Sequence, residues 1–210
     1  LINYLYKVIN VTELPPYILY PTAWVLVYLP NGTLVDYAWV TGRVSDSRMK
    51  GGKVVLVATT EPIVYPVRAS KEVSIDYGAY SSWGKIPEES IAVLGLPIES
   101  TTNILLINVS SGERCVTSVV GPRAKFIYLT PDGDLYIAST AYWYRVLPKL
   151  REVVEKGGGN VSELIKEVTQ PSKYGSTTIT YVSTANDTLT IKGFKVLEGF
   201  MTTQFAMDVY

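Results

Sequence analysis

Three stretches of this chain follow one plan, and the plan recurs at a nearly constant interval. Each has an apolar strand, a turn with Gly or Asn, a second strand and a closing Gly. They are VLVYLPNGTLVDYAWVTG ending at Gly42, ILLINVSSGERCVTSVVG ending at Gly121, and ITYVSTANDTLTIKGFKVLEG ending at Gly199. The closing glycines lie 79 and 78 residues apart, and Val25 and Ile104 each precede their Gly by 17 positions. A short link and a further strand follow each Gly. A small sheet of this kind cannot bury both its faces alone, and stacked repeats solve the problem by covering one another. The chain is thereby restricted to an array of similar sheets.

The segments between the turns read as short β-strands. Trp24–Tyr28, Lys53–Ala58, Asn103–Asn108, Lys125–Leu129, Asp134–Ala138 and Thr177–Val182 are rich in β-branched and aromatic residues. Pro30-Asn31-Gly32, Lys50-Gly51-Gly52, Ser110-Ser111-Gly112 and Pro131-Asp132-Gly133 supply the residues that tight hairpins need. The repeat units run over about 20–62, 104–143 and 178–210, with insertions at about 63–100 and 144–176. The second insertion is helical by pattern. Leu150, Val153 and Val154, then Leu164, Ile165 and Val168, fall at helical spacing on either side of Gly157-Gly158-Gly159. Asn160 with Glu163 has the form of a capping box, and Pro171 ends the segment.

Charge and residue usage exclude several classes of function. Nineteen basic residues balance nineteen acidic ones, so no net field draws nucleic acid or an anionic membrane. The apolar run Tyr17–Leu29 is interrupted by Pro21 and Thr22 and falls short of the roughly 20 residues of a membrane-spanning helix. Histidine is absent, which removes Ser-His-Asp and Cys-His catalysis and His-based metal sites. Cys115 is the only cysteine and reads as a small buried hydrophobe. The chain starts at Leu1 without an initiator Met, the expectation for a processed leader or a piece of a longer polypeptide.

Five of the seven Asn residues sit in Asn-x-Ser/Thr: Asn10, Asn31, Asn108, Asn160 and Asn186. Ser and Thr fill 36 of the 210 positions, so chance gives roughly one such triplet. The excess predicts N-linked glycans and an extracellular or cell-surface location. Asn160, if it caps a helix, is the weakest acceptor of the five.

At the repeat junctions the chain resembles a family of secreted bacterial and archaeal proteins with a C-terminal β-propeller, distantly related to WD40-type propellers. The matching segments are GRVSDSRMKGGKVVLVATTEP (42–62), YLTPDGDLYIAST (128–140) and GFMTTQFAMDVY (199–210). The resemblance implies an all-β fold with a small helical insertion, made of propeller blades that are incomplete in this chain. It carries no activity. About three partial blades do not close a ring, since propellers use about 4–8. The expected partners are therefore the remainder of the same polypeptide or neighbouring subunits that complete the sheet.

Candidate chemistry is sparse. Asp132 and Asp134 offer carboxylates to Ca²⁺, but so short a turn between strands reads better as a hairpin. Arg48 with Asp46 either lines a central channel or forms a buried ion pair. Gln204 and Asp208 alternate with Phe205 and Met207, which puts them on opposite faces of a strand. Trp24, Trp39, Trp83 and Trp143 suit either sugar stacking or packing between sheets. Glu88-Glu89 after Pro87 reads as the first turn of a short helix. No catalytic residue, cofactor or metal is assigned. The expectation is a non-enzymatic binding or scaffolding module. One alternative is a surface-layer or filament subunit that donates the strand Leu1–Val11, with Ile2, Tyr4, Tyr6 and Val8 on one face. The other is a carboxylate-dependent hydrolase.

Overall fold

The computed structural model describes residues 16–66, 73–95, 98–130, 134–141, 155 and 175–201. The strand expected at 1–11, the last segment, 202–210, and all of the helical segment expected at 148–168 except residue 155 lie outside these residues.

The described residues form three stacked sheets and a separate two-stranded one. The first holds β1 (Thr22–Tyr28) and β2 (Leu34–Thr41). The second runs β3 (Arg43–Lys50) and β4 (Lys53–Thr60), with β10 (Ser100–Asn108) and β11 (Arg114–Gly121) beside them. The third runs β12 (Arg123–Leu129), β13 (Leu135–Ala141), β14 (Ser176–Ser183) and β15 (Thr190–Glu198). In the second and third sheets these four strands each pair antiparallel with the next of the four in chain order. The first two repeat units read from the sequence therefore straddle two sheets, taking the last strands of one and the first of the next; of the third, only β14 and β15 are among the described strands.

The equivalence of the sheets reaches single residues. The leading pair of the second sheet has a bulge between Val44 and Asp46, and the leading pair of the third has one between Ala124 and Phe126. Each leading strand starts with an arginine opposite a threonine: Arg43 opposite Thr59, and Arg123 opposite Thr140. Two residues before each closing glycine stand Val40, Val119 and Leu197, which pair across the ladder with Ala23, Thr102 and Thr177.

Packing explains why β10 reads as an unbroken apolar run. Ser100 to Ile107 are all buried, because both faces of this strand are covered. Ile104 and Leu106 join Val55, Val57 and Val119 against Leu135, Ile137 and Val182 of the third sheet. Leu105 and Ile107 join Leu56 and Ala58 against Ala23, Ala38 and Val40 of the first. Side chains alternate between two cores with the period of two that a strand imposes. Truncating one of these fully buried aliphatics costs about 2–5 kcal/mol.

Gly42 turns the chain from the first sheet into the second. Its φ is +121°, and a Cβ there would lie 2.9 Å from the backbone C and N of Thr59. Only glycine allows the link to pass so close to β4.

The insertion between β4 and β10 is itself mostly strand. β5 (Ile63–Pro66) and β6 (Val73–Asp76) pair with each other. β7 (Tyr80–Ser81) pairs with β2 and with β8 (Gly84–Lys85), extending the first sheet. A single 3-10 turn at Glu88–Ser90 then leads into β9 (Ile91–Val93), which runs parallel to β11. One insertion thus covers the outer edges of two sheets, edges that would otherwise invite pairing with other chains.

Candidate binding surface

The leading strand β3 is exposed along nearly its whole length, and β3 and β12 both carry charged residues. Arg43, Ser45, Thr59, Glu61, Ser100 and Arg123 line a cleft of about 500 Å³ where the two strands begin. Arg123 pairs with Glu61. The Ser45 and Thr59 hydroxyls share a hydrogen bond at 2.6 Å. Among the described residues Arg43 forms no ion pair, so the cleft holds two guanidinium groups against one carboxylate. A guanidinium presents a planar fork of donors suited to carboxylate, phosphate or other anionic oxygens. Farther along β3, Arg48 pairs with Asp46 at 2.7 Å in an exposed position, on the strand surface and not in the core. On β12 the Lys125 ammonium lies 5.2 Å over the Phe126 ring and donates to the Met201 carbonyl at 3.4 Å.

A second cleft, of about 550 Å³, lies in the insertion and includes Asp76, Tyr77, Tyr80, Lys85 and Glu88. Both carboxylate oxygens of Asp76 are already used: the Gly78 N–H donates to one at 2.9 Å and the Tyr80 hydroxyl to the other at 3.0 Å. This group holds the insertion together. Glu88 starts the 3-10 turn and lies 3.8 Å from Lys85.

Beneath these clefts lies a buried polar knot. The Asn103 amide donates to the Thr41 carbonyl at 2.8 Å and to the Gly78 carbonyl at 3.0 Å, and its oxygen shares a 2.5 Å hydrogen bond with Ser118. The Thr41 hydroxyl donates to the Gly78 carbonyl and accepts from the Tyr80 N–H at 3.1 Å. Asn103 and Thr41 are fully buried. One side chain thereby ties the first sheet, the insertion and the second sheet.

The remaining sites expected from the sequence are scattered. Asp134 opens β13, and its carboxylate accepts from the Tyr181 hydroxyl and from the Thr184 N–H at 3.1 Å. Burial by itself would raise its pKa; hydrogen bonds from Tyr181, Thr184 and Ser183 hold it below the ordinary value. Asp132 lies outside the described residues, and among those described no group of three potential ligands gathers to hold a metal. Cys115 is half-buried against the core between the second and third sheets. Trp24 and Trp83 are half-exposed, and Trp24 packs against Tyr37 and Trp39 with ring centroids 6.0 and 6.1 Å apart. Asn31 and Asn186 are exposed at hairpin tips. Asn108 is half-buried, and its amide nitrogen donates to Asp187 at 2.9 Å. Asn10, Asn160, Trp143, Gln204, Phe205, Met207 and Asp208 lie outside the described residues. Sequence reading passed over Arg43, Arg123 and Asn103. A signal existed for each: an arginine just after the closing glycine in two repeats, and one amide inside an apolar strand.

Stacked four-stranded meanders, each joined by its last strand to the first strand of the next, are the blades of a propeller. The model of a family described as a beta propeller domain matches residues 28–210. The chain belongs to that family. Its described sheets do not close a ring. Comparison with curated proteins and with solved structures gives no significant match. No helix among the described residues is long and apolar enough to cross a membrane.

Proposed function

We propose that the chain is a non-enzymatic binding or scaffolding module that works outside the cytoplasm. The observation that carries the binding role is the cleft at the start of the leading strands, where Arg43 and Arg123 face solvent beside Glu61, Ser45 and Thr59. In a propeller the first strand of each blade lines the central channel. A ligand with carboxylate or other anionic oxygens suits two guanidinium groups and hydroxyls. Binding strength there falls with salt, because the site is exposed. The five Asn-x-Ser/Thr triplets support the extracytoplasmic location and its glycans. Asn31 and Asn186 stand at exposed tips, whereas the Asn108 nitrogen is engaged with Asp187.

The test is a panel of acidic and neutral oligosaccharides and peptides titrated against the chain and against Arg43→Ala with Arg123→Ala. Affinity for an acidic member, lost in the double variant and weakened by salt, is expected. Turnover of any member, or binding that ignores both arginines, overturns the reading. Intact mass of the chain made in its own cells tests the glycans, with sugar expected on Asn31 and Asn186.

A further inference from the structure

The cleft at the start of β3 and β12 is charged, but it is not simply basic. Glu61 stands in it and pairs with Arg123, while Arg43 has no carboxylate partner among the described residues. The Arg123 and Glu61 side chains are 61% and 73% exposed. An ion pair so open to water contributes little stability and yields readily to an incoming group. Two guanidinium groups and one carboxylate leave a single surplus positive charge among the described lining residues. One anionic group on a ligand balances that charge, and a second is set against the Glu61 carboxylate. The neutral lining is hydroxyl and aliphatic. The Ser45 and Thr59 hydroxyls share one hydrogen bond at 2.6 Å, which leaves one hydroxyl proton and spare lone pairs for a ligand. Leu19, Ile63 and Ala124 add half-buried aliphatic surface. At about 500 Å³ the cleft has the size of a small-molecule site.

We infer that the ligand of this cleft is an oligosaccharide in which a uronic acid ring neighbours a neutral sugar, and that Glu61 sets this preference. The inference rests on the binding reading given above and narrows it. Arg43 takes the ring carboxylate in a two-pronged hydrogen-bonded pair. Glu61, which can only accept, takes hydrogen bonds from ring hydroxyls, and Ser45 and Thr59 complete the polar contacts. The C–H face of the sugar lies on the aliphatic surface. A multiply sulfated or phosphorylated sugar brings further negative charge against Glu61. An acidic peptide supplies carboxylates but lacks the ring hydroxyls that match Glu61, Ser45 and Thr59.

The experiment is calorimetric titration of the full chain with disaccharides of glucuronic or galacturonic acid linked to glucose. Their carboxyl-reduced forms, a glucose disaccharide bearing two sulfates and an acidic peptide are titrated beside them. A uronate disaccharide should bind about tenfold more tightly than its reduced form, the worth of a charged hydrogen bond, and more tightly than the disulfated sugar. Arg43→Ala should remove the advantage over the reduced form. Glu61→Gln should keep the uronate bound and strengthen the disulfated sugar by roughly tenfold, so that the gap between the two anions closes. Both residues are exposed, and circular dichroism checks that each variant keeps its fold. Equal affinity for the uronate and its reduced form overturns the inference. So does a wild-type preference for the disulfated sugar, or an unchanged gap in Glu61→Gln. If the disulfated sugar or the peptide binds through the arginines while no uronate does, this inference fails and the binding reading stands. If no anion binds, or binding ignores both arginines, the two fail together.

Discussion

The side-chain amide of Asn103 crosses from one sheet to the next and donates to the Thr41 carbonyl at 2.8 Å, with both residues sealed from water. Removing the amide strands the Thr41 and Gly78 carbonyls and the Ser118 hydroxyl without that partner. A buried polar group left unsatisfied costs about 1–3 kcal/mol. Asn103→Ala should therefore lower the unfolding free energy by roughly 2–4 kcal/mol. Asn103→Asp should do no better, since a carboxylate cannot donate to either carbonyl. Urea titration followed by tryptophan fluorescence measures both.

Two closing glycines make a paired prediction. Gly42 and Gly199 both have positive φ, but a Cβ at Gly42 meets the Thr59 backbone, while at Gly199 nothing lies within 4 Å. Both substitutions to Ala incur the conformational cost of roughly 1–3 kcal/mol. Gly42→Ala adds a collision with backbone that cannot swing aside. Its melting temperature should fall clearly below that of Gly199→Ala in a thermal scan.

Acid should loosen the junction between the second and third sheets. The Lys53 ammonium, 2.7 Å from Asp187, and the Asn108 amide hold the Asp187 carboxyl below its ordinary value. A carboxyl lowered by folding contributes stability that is present above its unfolded pKa, near 4, and is lost as pH falls through the folded value. Asp134 is shifted the same way and adds to the effect. Melting temperature measured from pH 7 to pH 2 should drop below about pH 4. Asp187→Asn should melt lower at pH 7 and lose part of that acid dependence. Identical slopes for the two proteins would remove Asp187 from the account.

Much of the architecture can be read before any coordinates are seen. The interval between Gly42, Gly121 and Gly199 comes from sheet stacking, and stacking imposes its period on the residues directly. Gly turns and β-branched runs mark the strands for equally local reasons. Sheet membership is less visible. The turn at Gly51-Gly52 and the link at Gly42 both look like punctuation, yet one joins strands of one sheet and the other joins two sheets. β7 and β9 were hidden within the insertion because strands of two or three residues carry no periodicity. The polar knot was hidden for a different reason: Asn103 finds Thr41 and Gly78 only once three elements, 62 and 25 residues away in sequence, have come together.

The same distinction applies to Cys115. From the sequence it reads as a small buried hydrophobe; in the fold it is half-buried, and that burial pushes its pKa up to about 11. At pH 8 its thiolate fraction should be on the order of a hundredfold below that of an exposed cysteine. Reaction with a chromogenic disulfide should be slow in the folded chain and ordinary in urea. Equal rates in both would show that the core around Cys115 opens freely.

Both long insertions fall at one structural position, between the second and third strands of a sheet: one between β4 and β10, the other between β13 and β14. The hairpins at the opposite strand ends stay short, with Lys50 facing Lys53 across two residues. The stack that these sheets build therefore has two unequal sides. One rim is free to lengthen and diversify without altering how neighbouring wedges meet, and the other is fixed by the tightness of its bends. Residues can be added at the long-looped end of the strands without disturbing how one sheet packs on the next.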